Sequence, residues 1–564
     1  MKKRLTAVFF ILLFIGGVIT AGDYGVSWDE KAETQILVSN VLYAAQTLLP
    51  KSVVEGRLNP VLQMFYKEKV FERPKLIPDN VERDHGQALY YPATAVFFAV
   101  HALKQANPSL NVEHAMYHGR HIYNFIVCYF ALLCLYALVK KLTGQRRYAF
   151  LGVGLVLLTP RFFADFFYNN KDMIAFAAGI FMMYAVYRFF EKKTFPSAVW
   201  AGIVSAFAVN TRVSLALFLP LAAICYLIRN PGWKSLSRLI VLAVSSLAAY
   251  YLITPAAWEA PISLLKYVLK NAIYFSRWDG YIYYFGNVYH PSVARLPWHY
   301  LPTMIGITTP LLILALVCVG LFQLRKIKET NAGFIALVAV FSFLSLLVPM
   351  LLRSNVYNGW RHLYYIYSGF LLLAVWGVKS LLESPRRAVR ITAIACVAVQ
   401  VAVTGFFMAR NHPYEYTYYN ILAGAHPEEN FELDYWNTAQ SRLIKKALDE
   451  NPDKQICVFY STAYCANIDY ADFFLSNDQR ARLHLYTTNP KVTPVPIDFE
   501  NSLCYLVINP TTAKKMVLWG NPLYLDEAQT QYFDLIPAVE IIAGNSAIQQ
   551  LYPLSEDQAR YLME

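Results

Sequence analysis

The chain is a succession of apolar runs punctuated by short clusters of lysine and arginine. Hydrocarbon about 30 Å thick is crossed by roughly 20 apolar residues in a helix. Lipid offers the backbone no hydrogen-bond partner outside its own segment, so such runs must be helical. They fall at 5–22, 121–139, 148–163, 173–190, 200–209, 215–228, 239–254, 301–324, 334–352, 363–378 and 391–408, which predicts about eleven spans. Only 16% of the 564 residues are charged, against 56% hydrophobic. Soluble domains carry about a quarter charged residues. A soluble enzyme, a disordered chain and a nucleic-acid binder are therefore poor fits.

Orientation follows from where the cations sit, because cytoplasmic loops are enriched in Lys and Arg. Lys2-Lys3-Arg4 precede the first run and put the N-terminus in the cytoplasm; the segment reads as an uncleaved anchor or a signal peptide, and either puts Asp23 onward outside. Lys140, Lys141, Arg146 and Arg147, then Lys192-Lys193, Arg229 and Lys234, Arg325-Lys326-Ile327-Lys328, and Lys379 with Arg386, Arg387 and Arg390 mark successive returns to that side. This scheme makes 23–120 and 255–299 large external loops. The run 93–103 within the first is too short to span and reads as an interfacial or re-entrant helix. All eleven His residues fall outside.

Residues 411–564 carry 10 basic and 20 acidic side chains, while 1–410 is +22. That split predicts a transmembrane domain, 1–410, and a soluble extracytoplasmic α/β domain, 411–564. Segments 455–460 and 503–508 read as short buried strands and 439–448 as a helix. Cys128, Cys134, Cys225, Cys318 and Cys396 lie in apolar runs and read as buried fillers. Cys457, Cys465 and Cys504 lie in the tail, where one bridge is compatible with the spacing but the odd count leaves pairing open.

No span carries a formally charged side chain at its middle, and no repeated halves are apparent. Both features count against a transporter or flippase for a lipid or solute, the main alternative function. A non-catalytic assembly protein with an acidic docking tail is the third. The polar residues instead gather where spans emerge. They form four external groups: Asp23 to Glu30; Asp84-His85-Gly86-Gln87 with Arg120-His121; Arg161 to Asp165 with Asn169-Asn170-Lys171-Asp172; and Tyr357-Asn358-Gly359-Trp360-Arg361-His362. The adjacent acids Asp29 and Glu30 suit a general base acting on an acceptor hydroxyl. Arg120, Arg212, Arg361 and Lys171 suit an anionic phosphate leaving group, and His85, Trp360 and His362 suit substrate contacts. His114, His118 and His121 have helical spacing but lack the Glu of a zinc-protease helix. No cofactor is certain from the sequence; a divalent metal is left open and not predicted.

Taken together, these residues resemble the GT-C fold glycosyltransferases, which include protein O-mannosyltransferases (glycosyltransferase family 39) and the lipid A aminoarabinose transferase. Trp28-Asp29-Glu30 after the first span looks like their acidic motif. Gly86-Gln87 through Phe98, with Pro92, resembles their loop helix. Arg161 with Asn169-Asn170-Lys171-Asp172 looks like their second external loop. Leu296-Pro297-Trp298-His299-Tyr300, Gly359-Trp360-Arg361-His362 and His412-Pro413-Tyr414 look like phrases of related bacterial membrane proteins. The resemblance covers nearly all of 1–440. It implies a retained first span in a bacterial inner membrane, and a polyprenyl-phosphate sugar donor presented from membrane lipid. Asp29 would be the catalytic base, Asp172 its partner, and Arg120 a holder of the donor phosphate. The acceptor, whether protein, lipid or glycan, is not specified.

Overall fold

A computed structural model describes residues 2–563 except 78, 274–277, 279, 291–292, 294, 325–329, 357, 462–467, 469, 489–494 and 519–535. The basic group 325–328, Tyr357 and Cys465 lie outside the described residues. Two compact units emerge. The first comprises Met1–Gly22, Glu30–Trp278 and Leu296–Phe406; the second comprises Asp23–Asp29, Asp279–Arg295 and Phe407–Glu564.

The first unit is helical. Among the described residues seven helices are long and apolar enough to cross a membrane: Arg4–Asp23, Val112–Thr143, Asp172–Lys192, Trp233–Ile253, Asn331–Leu352, Arg361–Leu382 and Arg387–Asn411. Two bent pairs raise the number to nine, and the apolar helices Phe195–Thr211 and Val213–Arg229 are shorter. Length and apolarity thus support seven to nine spans, where the hydropathy pattern alone predicts about eleven. Two runs expected to be continuous are broken. Arg146–Leu157 and Pro160–Tyr168 meet at 73°, and Tyr300–Thr308 and Leu311–Leu324 at 115°. Pro160 and Pro310 sit at the breaks, where the ring removes an N–H donor and forces the preceding residue out of the helix.

Local signals set the other ends. Asn111 caps the long second span by accepting the backbone N–H of His114 at 2.9 Å, and Gly144 closes it at φ +72°. Thr194 and Ser197 form a reciprocal capping box before Phe195–Thr211. Burial then sorts centre from periphery. Asp172–Lys192 and Arg361–Leu382 are each 78% buried along their apolar windows, whereas Trp233–Ile253 and Arg387–Asn411 are 11% buried. The latter pair presents its apolar surface to lipid. Lipid-facing positions also correct the cysteine reading: Cys318 and Cys396 are exposed rather than buried. An apolar side chain in a span needs hydrocarbon around it, and lipid supplies that as well as protein does.

The second unit holds a five-stranded sheet. Its strands, preceded in the chain by the hairpin β1 (Ile282–Tyr284) and β2 (Asn287–Tyr289), are β3 (Gln455–Tyr460), β4 (Leu483–Thr487), β5 (Ser502–Ile508), β6 (Val539–Ala543) and β7 (Ser546–Leu554), in spatial order β4-β3-β5-β7-β6. β3 pairs in parallel with β4 and β5, while β7 is antiparallel to β5 and β6. Side chains alternate across a strand. Ile456, Val458 and Val507 therefore pack against Leu443, Ile444, Ala447 and Leu448 of the helix Gln440–Glu450. Cys457, Phe459, Cys504 and Leu506 face the opposite layer, which includes Ala513, Ala559 and Leu562. Both expected strands and the expected helix are present.

Candidate active site

The site is built where the two most enclosed spans of the first unit begin. Pro160–Tyr168 ends at Asn169, whose Oδ1 accepts the backbone N–H of Asp172 at 3.0 Å. That bond fixes the turn 169–171 and puts Asp172 in the first turn of its helix, where unpaired N–H groups favour a negative charge. Asp172 is fully buried. Its Oδ1 is bound by Arg212 and its Oδ2 accepts from Arg361 Nη1 at 2.9 Å. Arg212 is the extended residue between Phe195–Thr211 and the next turn, and Arg361 opens the turn Arg361–Ile366. One carboxylate thus ties three elements together.

A second carboxylate, Glu33, was not singled out by the sequence. It lies on the helix Asp29–Leu48, one turn beyond Glu30. Its Oε1 is 3.2 Å from Lys171 Nζ, and its Oε2 accepts from Gln87 Nε2 at 3.0 Å. His85 Nδ1 is 3.0 Å from the same Lys171 Nζ. Gly86, between His85 and Gln87, passes so close to the Asn210 backbone that a Cβ there would collide with it. Asn210 in turn accepts from the Ala88 N–H at 3.0 Å and donates to Thr254 at 2.8 Å. A pocket forms between these groups, lined by Glu33, His85, Gln87, Tyr90, Asn170 and Lys171.

Glu30 and Arg120 stand beside it. Glu30 is fully buried, and its carboxylate lies 3.2 Å from His121 Nε2. Thr34 Oγ1 donates to the Glu30 carbonyl at 2.6 Å and receives a hydrogen bond from Arg120 Nη1. Arg120 is 1% exposed and its guanidinium carbon lies 5.5 Å from the centre of the Tyr90 ring. Its Nε and Nη2 have no hydrogen-bond partner among the described residues. Buried donors of this kind are rare in folded proteins, and a guanidinium fork matches phosphate geometry.

The remaining candidates are distributed differently. Asp29 is half-buried at the first position of its helix and groups with the second unit, whereas Glu30, Glu33 and Asp172 belong to the first. Trp360 is enclosed by Phe162, Tyr364 and Tyr367 and donates to Thr308 at 2.9 Å, so it braces the chain before Arg361. His362 follows Arg361 in the same turn. His114, His118 and His121 do not form a metal-ligating group. Among the described residues one group, Glu82, Asp84 and His85, brings three ligand atoms within 4.8 Å of one another, and those side chains can hold a metal ion.

Comparison with known proteins bears on the same stretch. Residues 118–258 match the dolichyl-phosphate-mannose-protein mannosyltransferase family. That quarter of the chain carries Arg120, Lys171, Asp172 and Arg212. No curated protein matches the chain. Among solved structures, ArnT from Cupriavidus metallidurans bound to undecaprenyl phosphate aligns over 97% of each chain, with 12% identity and a TM-score of 0.44. The oligosaccharyltransferase AglB from Archaeoglobus fulgidus, in complex with an inhibitory peptide and a dolichol-phosphate, aligns over 80% of this chain and 62% of its own, with 10% identity and a TM-score of 0.43.

Proposed function

We propose that the protein is an integral membrane glycosyltransferase that moves a sugar from a polyprenyl-phosphate donor to an acceptor at the extracytoplasmic face of a bacterial inner membrane. In this reading 1–410 is the catalytic part and 411–564 an exported domain. The observation that carries the proposal is the buried Arg120 guanidinium, two of whose nitrogens have no partner among the described residues, against Tyr90 of the pocket that Lys171 lines. Cations enclosed by protein stabilise a departing phosphate far better than cations in water. The match of 118–258 to a mannosyltransferase family supports the same chemistry.

The acceptor hydroxyl attacks the anomeric carbon from the side opposite the phosphate, so the configuration inverts. The bond from that carbon to the phosphate oxygen breaks, and polyprenyl phosphate leaves. Arg120 and Lys171 take the phosphate charge. Arg212 and Arg361 hold Asp172 in place next to Lys171. Glu30 and Asp172 are fully buried, Glu30 against the His121 ring and Asp172 between the Arg212 and Arg361 guanidinium groups. Asp29 is the more accessible of the three sequence-predicted carboxylates and is assigned as the base. His85 and His362 contact substrate, with Trp360 bracing the turn behind Arg361.

The test is incubation of the purified protein with a panel of radiolabelled polyprenyl-phosphate sugars. One donor is consumed by the native protein, and Asp29→Asn abolishes that turnover with expression and folding intact. Full turnover in Asp29→Asn removes the base assignment. Consumption of no donor in the panel counts against the function.

A further inference from the structure

We propose that Cys457 and Cys504 are a disulfide pair that staples the two central strands of the second unit. The inference rests on the reading that this unit is exported. In the parallel ladder of β3 and β5, Cys457 stands directly opposite Cys504. Neighbouring strands lie about 4.7–4.9 Å apart, and disulfides join Cα atoms separated by about 4.4–6.8 Å. Direct partners on adjacent strands point to the same face, and both cysteines belong to one buried cluster with Phe459, Leu506 and Ala559.

This pair differs from the other described cysteines. Cys128, Cys134, Cys225, Cys318 and Cys396 all lie on helices of the first unit. The hydrogen bond from the Cys504 thiol pulls the Cys457 pKa below the ordinary thiol range, ahead of the opposing effect of burial. Thiolate character makes Cys457 the attacking sulfur.

The oxidant is a disulfide, either oxidised glutathione or the active-site disulfide of a thiol oxidoreductase. The Cys457 thiolate attacks one sulfur of that reagent, forms a mixed disulfide and expels the other sulfur as a thiolate. The Cys504 thiolate then attacks the Cys457 sulfur and expels the second. Two electrons pass to the reagent, and the two protons lost by the protein thiols end on the two released thiols. The closed loop runs from 457 to 504 and contains the edge strand β4, and the bond itself joins the two interior strands β3 and β5.

The full-length protein, extracted from membranes in the presence of an alkylating agent, is denatured and mapped by peptide mass spectrometry with and without reduction. Without reduction, Cys457 and Cys504 escape alkylation and appear in one cross-linked peptide pair; after reduction both are alkylated. A second arm treats the native, reduced protein with a mixture of reduced and oxidised glutathione. Alkylation of both cysteines in both arms overturns the pair, as does a cross-link from either of them to Cys465. A cross-link formed only with added glutathione confirms the pair and faults the exported placement of the unit. Cys457→Ser and Cys504→Ser each abolish the cross-link and leave the remaining sulfur alkylated.

Discussion

Asp172→Asn is the sharpest test of how the site is assembled. The native carboxylate is fully buried and neutralises Arg361, which is 2% exposed, together with Arg212, whose side chain is 18% exposed. The substitution keeps the volume and removes the charge. Arg212 can turn toward water, but Arg361 cannot, so at least one guanidinium is left buried without its counter-charge. Removing one partner of a buried pair costs about 3–5 kcal/mol. That is roughly 10²- to several 10³-fold in the folded-to-unfolded ratio. Arg361→Gln should cost less, about 1–3 kcal/mol, because Asp172 keeps Arg212. The double variant should fall short of the sum, since both changes remove the same bond. The assay is reversible unfolding of the detergent-solubilised protein, with donor turnover measured in parallel. Asp172→Asn with native stability and native turnover refutes the argument that this carboxylate ties the three elements together. Strict additivity of the two single variants refutes the pairing with Arg361.

Other outcomes follow from particular contacts. Gly86→Ala should destabilise by about 1–3 kcal/mol, as overpacking against unyielding Asn210 backbone does. Turnover should fall by up to about 10²-fold because His85 and Gln87 shift with the loop; native kinetics would show that the loop does not position Lys171. Arg120→Gln should lower kcat/KM for the lipid donor by roughly 10- to 100-fold, the worth of a charge-assisted bond, and Arg120→Lys should recover part of it. Equal kcat/KM in all three proteins would remove Arg120 from donor binding. Burial pushes the Asp434 carboxyl up to about 7, although the backbone N–H groups of Thr438, Asn437 and Ala439 pull the other way. The folded state therefore keeps that proton where the unfolded chain has lost it, and stability declines as pH rises from about 4 to about 7, by at most about 1.4 kcal/mol per unit. His412, raised chiefly by its bond to Glu415, adds a decline of the same sign as pH passes through its folded value. Asp434→Asn should flatten the slope of thermal midpoint against pH; an unchanged slope would show that the carboxyl does not titrate there.

How much of this was legible in the chain depends on range. Helix positions were readable because hydrocarbon demands long apolar runs, and the sheet because Gln455–Tyr460 and Ser502–Ile508 are short and apolar. The breaks at Pro160 and Pro310 carried a local signal that the hydropathy pattern overrode. Glu33 had a faint signal in its one-turn spacing from Glu30 and none for its partners, since Gln87 and Lys171 lie 54 and 138 positions away. Trp360 reads in sequence as a substrate contact, yet three aromatic neighbours enclose it, because an indole beside Phe162, Tyr364 and Tyr367 buries more area than one left at an interface.

The order of residues alone decided that the chain is helical and lipid-embedded, that its cations and acids gather at span ends, and that an acidic α/β segment follows. These are properties of local composition and period, which need no partner from elsewhere in the chain. The tertiary structure decided which charge meets which. Arg212 and Arg361 converge on Asp172, Glu33 takes Lys171, and among the described residues Arg120 is left with donors to spare. Those pairings join residues 40 to 189 positions apart, and only the packing of whole helices brings such groups within the few ångströms at which charges and hydrogen bonds act.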